Sequence, residues 1–235
     1  MEAKNRISRS CVVMHTADLG PHMRRLVVGG QELQEIFDDP VVSAPAAWVK
    51  LFPPGIPGRA YTISSVDFNA RTLALDFVVH GDQPATVSTW ARDVQAGATL
   101  EIAGPRDGGF SLLPDTRWIW LAADATALPA VQNIIESLPE GLSGRAVLKA
   151  LAEAQPQPIS SKSSLDVRWV DTAEAGGDMG EVGGDFDPAL AQVWLAGESS
   201  WIKGWKAYWT GTVGLEPRRV AAKGYWKAGE IDYRD

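Results

Sequence analysis

Arg59, Tyr61 and Thr62 stand within four residues of one another, in Arg59-Ala60-Tyr61-Thr62, and their chemistry is complementary. A guanidinium is a phosphate-binding fork, a phenol offers a flat ring, and a hydroxyl is a short donor. On a strand Arg59 and Tyr61 share one face, because side chains alternate. The same tetrapeptide also reads as a solvated arginine beside a structural tyrosine. A second stretch, HGDQPATVSTWA at 80–91, ends a strand in His80-Gly81 and opens a short helix whose free amides suit a diphosphate. Thr86, Ser88 and Thr89 are its candidate hydroxyl donors, or else ordinary helix caps.

Two further stretches have the form of strand-to-helix turns. LAADATALPAVQ (121–132) places Asp124 and Thr126 between an apolar run and a helix beginning near Pro129. WLAGESSWIKGWK (194–206) does the same with Gly197, Glu198 and Ser199. Open α/β sheets bind nucleotides beyond the carboxyl ends of their strands, so two neighbouring turns could bracket one nicotinamide nucleotide. The glycine-rich dinucleotide fingerprint is absent, which leaves simple sheet-to-helix punctuation open. Near the end, Gly224-Tyr225-Trp226-Lys227 supplies an aromatic pair that either packs a core or covers a cofactor ring.

The elements that must carry these residues fall into two kinds. Up to residue 113, short β-rich runs alternate with Gly and Pro: 6–28 around Gly20-Pro21, then 46–54, 59–67, 72–80 and 99–105, with one short helix at 85–94. Leu73, Leu75, Phe77 and Val79 alternate as one buried face. This predicts a small antiparallel barrel. From residue 114 the runs at 117–124, 144–153, 165–171, 191–198 and 218–226 alternate with helical patterns at 128–139 and 201–214. That alternation predicts an α/β domain with a parallel sheet, and the Gly- and acid-rich stretch 172–188 reads as a surface loop. The expected division is 1–113 and 114–235.

Composition narrows the chemistry. One cysteine, Cys11, excludes an internal disulfide framework, and three histidines leave little for a metal centre, so no metal site is expected. No apolar run approaches the roughly 18 residues of a membrane span, and the first residues lack a signal-peptide core, so a cytoplasmic protein is expected. A net charge of −7 argues against a nucleic-acid surface while permitting a local basic pocket. Of ten tryptophans, Trp118, Trp120, Trp169 and Trp194 read as strand core. Trp201, Trp205 and Trp209 recur at helical spacing and read as helix packing, which leaves Trp226 for a cofactor.

Taken in order, VKLFPP, RAYTI, the HG…PAT…WA segment, AGP, LAAD-x-TALPA, WLAGE and GYW resemble the siderophore-interacting protein family, the vibriobactin-utilisation type of ferric-siderophore reductase within the ferredoxin-reductase-like group. Each motif is weak singly, and their collinearity carries the resemblance over nearly the whole chain. It implies an FAD-binding β-barrel followed by an NAD(P)H-binding α/β domain. The implied reaction passes electrons from NADPH or NADH through the flavin to Fe(III) in a siderophore. The implied alternatives are reduced ferredoxin as donor, or a non-catalytic flavin- or siderophore-binding protein; a monomer is expected.

By the same resemblance, Arg59 pairs with the FAD diphosphate, and Tyr61 and Thr62 lie against the flavin ring and its N5 edge. His80, Gly81 and a hydroxyl among Thr86, Ser88 and Thr89 complete the phosphate cradle. Asp124 and Thr126 meet the nucleotide, with Thr126 facing the nicotinamide; Tyr61, Thr62 and Thr126 are thus the implied catalytic residues. Gly197, Glu198 and Ser199 approach the nucleotide, and Tyr225 and Trp226 pack near the isoalloxazine or the adenine. Lys50, Arg106 and Lys227 are the implied basic patch for the anionic chelate. Three departures stand out: Ser64 and Ser65 follow where the family often has a basic residue, and Ala123-Asp124-Ala125-Thr126 replaces Gly-Asp-Glu-Thr. The segment after GYW is also short. A methyl at Ala123 would crowd a dinucleotide lying close to the backbone.

Overall fold

A computed structural model describes residues 8–79, 86–149, 159, 161–170, 186–230 and 233. The chain divides into two compact units, Met1–Gly108 and Gly109–Asp235.

The first unit is a closed six-stranded barrel. Its strands are β1 (Arg9–Gly20), β2 (Met23–Gly29), β3 (Trp48–Phe52), β4 (Arg59–Asp67), β5 (Thr72–Val78) and β6 (Thr99–Arg106), arranged β1-β2-β5-β4-β3-β6. Every adjacent pair is antiparallel, and β6 closes on β1 with Arg9 opposite Ile102. Closure leaves no open sheet edge. Alternation puts Val13, Leu26, Val28, Leu51, Leu73, Leu75, Phe77 and Ile102 into one fully buried core. Burying each such large side chain contributes about 1.5–3 kcal/mol. The helix α1 (Val87–Asp93) follows β5, and a 3-10 segment at Gln31–Asp38 packs Leu33, Ile36 and Phe37 inward.

β5 departs from the expected single buried face. Ala74 and Asp76, between the core residues, are also buried. Asp76 is covered because Arg25, directly opposite on β2, folds its guanidinium onto the carboxylate. Long arginine stems commonly cover sheet surface in this way.

The second unit is a five-stranded parallel sheet with helices. β7 (Trp118–Ala123), β8 (Ser143–Lys149), β9 (Ser164–Val170), β10 (Ala191–Glu198) and β11 (Val220–Trp226) lie in the order β11-β10-β7-β8-β9. β7 is buried along its whole length and β10 to its last residue but one, as near-continuous apolar central strands must be. The helix α2 (Leu128–Ser137) follows β7, with Pro129 in its first turn, and α3 (Ser199–Ala207) follows β10 and runs into a π turn at Tyr208–Thr212. The chain runs outward from β7 to β9 and then returns to β10, so the switch point of the sheet lies between β7 and β10. Residues 171–185, which hold most of the acid-rich stretch, lie outside the described residues, as do His80 and Gly81.

The tryptophans sort by strand position. Trp118, Trp120 and Trp194 are buried, and Trp205 and Trp209 pack from α3 and its π turn onto Trp120, with centroids 4.5 and 5.2 Å away. Phe186 stacks on Trp118 at 4.1 Å. Trp169 differs from the core expectation: it sits half-buried on β9, the edge strand of the sheet among the described residues.

Candidate functional site

On the barrel, register decides which candidate residues meet. Across β3 and β4, Trp48 stands opposite Thr62, Lys50 opposite Ala60, Val49 opposite Tyr61 and Leu51 opposite Arg59. Val49 and Leu51 point into the core, so Tyr61 turns inward and packs on Phe77 at 4.3 Å. Burial pushes its phenol up to about 12 against the opposing pull of Arg59, so the ring stays neutral. Thr62 instead shares the outer face with Trp48 and Lys50. It is 6% exposed, and among the described residues its hydroxyl has no hydrogen-bond partner. Across β6, Arg106 stands opposite Trp48 and lies over its indole at 5.6 Å, while Lys50 lies over Phe52 at 5.6 Å. One outer wall of the barrel therefore brings together Thr62, Lys50 and Arg106.

The hydroxyls near α1 have other partners. Thr86 caps the helix by accepting from Thr89 N at 3.2 Å, and Thr89 Oγ1 donates back to the Thr86 carbonyl at 3.0 Å. Ser88 donates to the Val78 carbonyl at 2.6 Å. Ser88 and Thr89 thus spend their protons inside the protein, Thr89 in ordinary capping and Ser88 in tying α1 to the end of β5. Beside the Tyr-Thr pair, Ser64 donates to Asp76 at 2.8 Å and accepts from Arg25 at 3.0 Å. The cation missing from position 64 is delivered there by β2. Nothing local in the sequence marks Arg25, which lies 39 residues from Ser64.

In the second unit, the carboxyl ends of β7, β10 and β11 converge on Asp124. Its Oδ1 accepts from Thr126 N at 2.9 Å and Thr126 Oγ1 at 2.6 Å. Its Oδ2 accepts from Glu198 N and Trp226 Nε1, both at 2.8 Å. Gly197 has a φ of +147°, and a Cβ there would come within 2.6 Å of the Asp124 carboxyl, so only glycine admits this approach. Glu198 caps α3 by accepting from Trp201 N at 2.9 Å. Burial pushes its carboxyl up, but the amides of Trp201, Ala228 and Ser200 together with the Ser200 hydroxyl outweigh that and hold it below the usual glutamate range.

These contacts redirect several sequence-based expectations. Asp124 and Trp226, both expected near a cofactor, bond to each other. Ser199 is 1% exposed and shares a 2.8 Å hydrogen bond with the Tyr233 hydroxyl. Ala123 is fully buried, which removes the expected crowding by its methyl. Thr126 keeps free lone pairs, although its proton is given to Asp124. Tyr225 is half-buried with Lys223 over its ring at 6.0 Å, and Lys227 pairs with Glu230. Lys50 and Arg106 share a wall of the first unit, whereas Lys227 belongs to the second.

Two polar groups of β4 suit FAD: the Arg59 guanidinium at the start of the strand and, on its other face, the Thr62 hydroxyl, which has no hydrogen-bond partner among the described residues. Comparison with known proteins points the same way. The profile of the siderophore-interacting FAD-binding domain matches residues 54–109, and that of the siderophore-interacting protein matches 116–229. The crystal structure of a siderophore-interacting protein from Aeromonas hydrophila superposes with a TM-score of 0.79 at 25% identity, covering 97% of this chain and 94% of that one. The ferric vibriobactin reductase of Vibrio cholerae is 30% identical over 112 residues, 48% of this chain and 41% of its own. An NADPH-dependent ferric-chelate reductase of Escherichia coli is 24% identical over 94% of this chain and 93% of its own.

Proposed function

The chain belongs to the siderophore-interacting protein family, and on that basis we propose that it is an FAD-dependent reductase of ferric siderophores with a nicotinamide nucleotide as donor. One observation carries the reading: the Thr62 hydroxyl, without a hydrogen-bond partner among the described residues, and the cations Lys50 and Arg106 share one outer wall of the barrel. A group held against Thr62 would face an anionic chelate drawn to those cations.

In this reading Arg59 pairs with the FAD diphosphate and Thr62 donates to the flavin edge. Tyr61 stays neutral and supports the strand from inside. Bound FAD supplies the conversion of one hydride into two single electrons, so one NAD(P)H reduces two Fe(III) to two Fe(II) and releases a proton. Fe(III) suits the hard anionic oxygens of a siderophore far better than Fe(II) does, so reduction loosens the chelate. Thr126, whose proton goes to Asp124, offers its lone pairs to the carboxamide of the nicotinamide.

A second reading keeps the flavin and takes electrons from reduced ferredoxin. Asp124 and Glu198 favour it, because they set two carboxylates where an anionic nucleotide would approach. The purified protein is expected to show oxidised-flavin absorbance, to bleach anaerobically with NADH or NADPH, and to regain colour on adding a ferric siderophore. Bleaching by reduced ferredoxin alone selects the second reading. Absence of flavin, or a reduced flavin that no ferric siderophore reoxidises, refutes the reductase.

A further inference from the structure

β10 is buried from Ala191 to Gly197, and one residue of that run is an amide: Gln192, 5% exposed. It stands opposite Ile119 at the amino end of the strand, so it lies at the far end of the sheet from Asp124. An amide buried there must find partners or lose stability. Among the described residues its side chain bonds to one segment alone. Oε1 accepts from Leu113 N and Thr116 Oγ1, both at 2.9 Å, and Nε2 donates to the Ser111 carbonyl at 2.8 Å. Arg219, 3% exposed, holds the same segment by donating to Asp115, and ties it to the strand through the Ala191 carbonyl.

This segment is where the chain enters the second unit. On the other side, Trp48 Nε1 donates to the Asp107 carbonyl at 3.2 Å. A Cβ on Gly108 would come within 2.1 Å of the Ala46 carbonyl oxygen, so only glycine admits that approach. Gly108 is the last residue of the first unit, and only Gly109 and Phe110 separate it from the clamped Ser111. Without Gln192, the next residue of the segment held by a side chain of the sheet is Asp115, which lengthens the stretch to residues 109–114. An extended chain reaches about 3.3–3.6 Å per residue, so the reach grows from about 7 Å to about 20 Å.

We propose that Gln192 is a positioning residue: by clamping residues 111–116 it keeps the connection between the two units short, so that a nicotinamide carried by the second unit meets the flavin carried by the first more often. This rests on the reading that a nicotinamide nucleotide is the donor. The frequency of such meetings falls as about the −3/2 power of the length of a flexible connection, so a stretch three times as long costs about fivefold.

Two measurements on the FAD-loaded protein test this, one of which needs no turnover. Spin labels on Asn69→Cys and Lys206→Cys, exposed positions in the first and second units, report the spread of distances between the units by pulsed electron resonance. Cys11 is 1% exposed, and burial followed by Glu32 pushes its thiol up to about 12, so it escapes labelling. Gln192→Leu is expected to broaden the distribution of the wild type. It should also slow anaerobic flavin reduction by saturating NADPH about fivefold. NADPH affinity and reoxidation of the flavin by a ferric siderophore should stay unchanged, which a general loss of structure would not allow. If Gln192→Leu fails to fold, Gly-Ser-Gly-Ser inserted between Gly109 and Phe110 lengthens the connection with β10 intact and should reproduce both effects. A distribution as narrow as that of the wild type in Gln192→Leu overturns the clamp. Broadening with an unchanged rate of flavin reduction overturns the positioning role. Failure of the wild type to be reduced by either nucleotide, with the distribution still broadened by Gln192→Leu, overturns the donor reading and the positioning role with it, while the clamp stands.

Discussion

A carboxylate offers about four lone-pair positions, and Asp124 has a donor on each: Thr126 N, Thr126 Oγ1, Glu198 N and Trp226 Nε1. It therefore braces the ends of three strands. Two of its donors are 74 and 102 residues away in the chain, so no spacing in the sequence reveals the brace. What was legible was the turn itself, an acid and a hydroxyl between an apolar strand and a proline-started helix. The turn's own residues carry no sign of the donors that Glu198 and Trp226 bring to it. Asp124→Asn places an amide donor against the N–H of Thr126 or of Glu198 and Trp226, leaving at least one unpaired. That should cost about 1–3 kcal/mol in urea unfolding. Asp124→Ala should also move the indole N–H resonance of Trp226, assigned with Trp226→Phe, toward the position of a free indole. An unmoved resonance would remove the brace from the account.

Elements were legible wherever one physical rule dominated. β7 and β10 are apolar throughout because both faces of a central parallel strand are covered. β5 reads as one-faced in the sequence, because its outer acid, Asp76, is covered by an arginine from another strand, and a period-two pattern carries no trace of that partner. The helix α3 began where expected, but the residue that starts it changes meaning. Glu198 reads in sequence as a nucleotide contact, and in the fold its carboxylate closes the first turn of α3 and also accepts from Ala228 N at 3.3 Å. A carboxyl held below its ordinary value contributes stability that is full above the unfolded-state glutamate value and is lost as pH falls through the folded one. The second unit should therefore weaken in acid below the usual glutamate range. Glu198→Gln keeps an acceptor for Trp201 N and should flatten that decline, while Glu198→Ala should cost about 0.5–2 kcal/mol at neutral pH. Thermal unfolding across pH 3–7 (about the carboxylate range) checks both, and an identical acid limb in Glu198→Gln contradicts the assignment.

For the molecule as a whole, the opposition is between its total charge and one wall of its barrel. A chain of net charge −7 repels an anionic ferric chelate at a distance, while Lys50 and Arg106 attract it close by. Salt separates these, since screening acts over about 10 Å at 0.1 M. Far-field repulsion is lost first as salt rises, and a short-range attraction persists longer. The composition gave the sign of the total, but the wall exists only because β3 and β6 are neighbours in the closed barrel, with Trp48 opposite Arg106. Replacing both cations by alanine leaves the repulsion and adds two units of negative charge to it. With an anionic ferric siderophore, kcat/KM of the wild type should hold steady or rise only slightly with added salt, because the short-range attraction persists and already offsets the repulsion that is screened. The Lys50→Ala/Arg106→Ala protein should start lower and rise with salt, because only repulsion remains to be screened. Flavin content and the rate of flavin reduction by the donor serve as the control and should match wild type. Parallel salt curves for the two proteins would mean that the chelate arrives elsewhere.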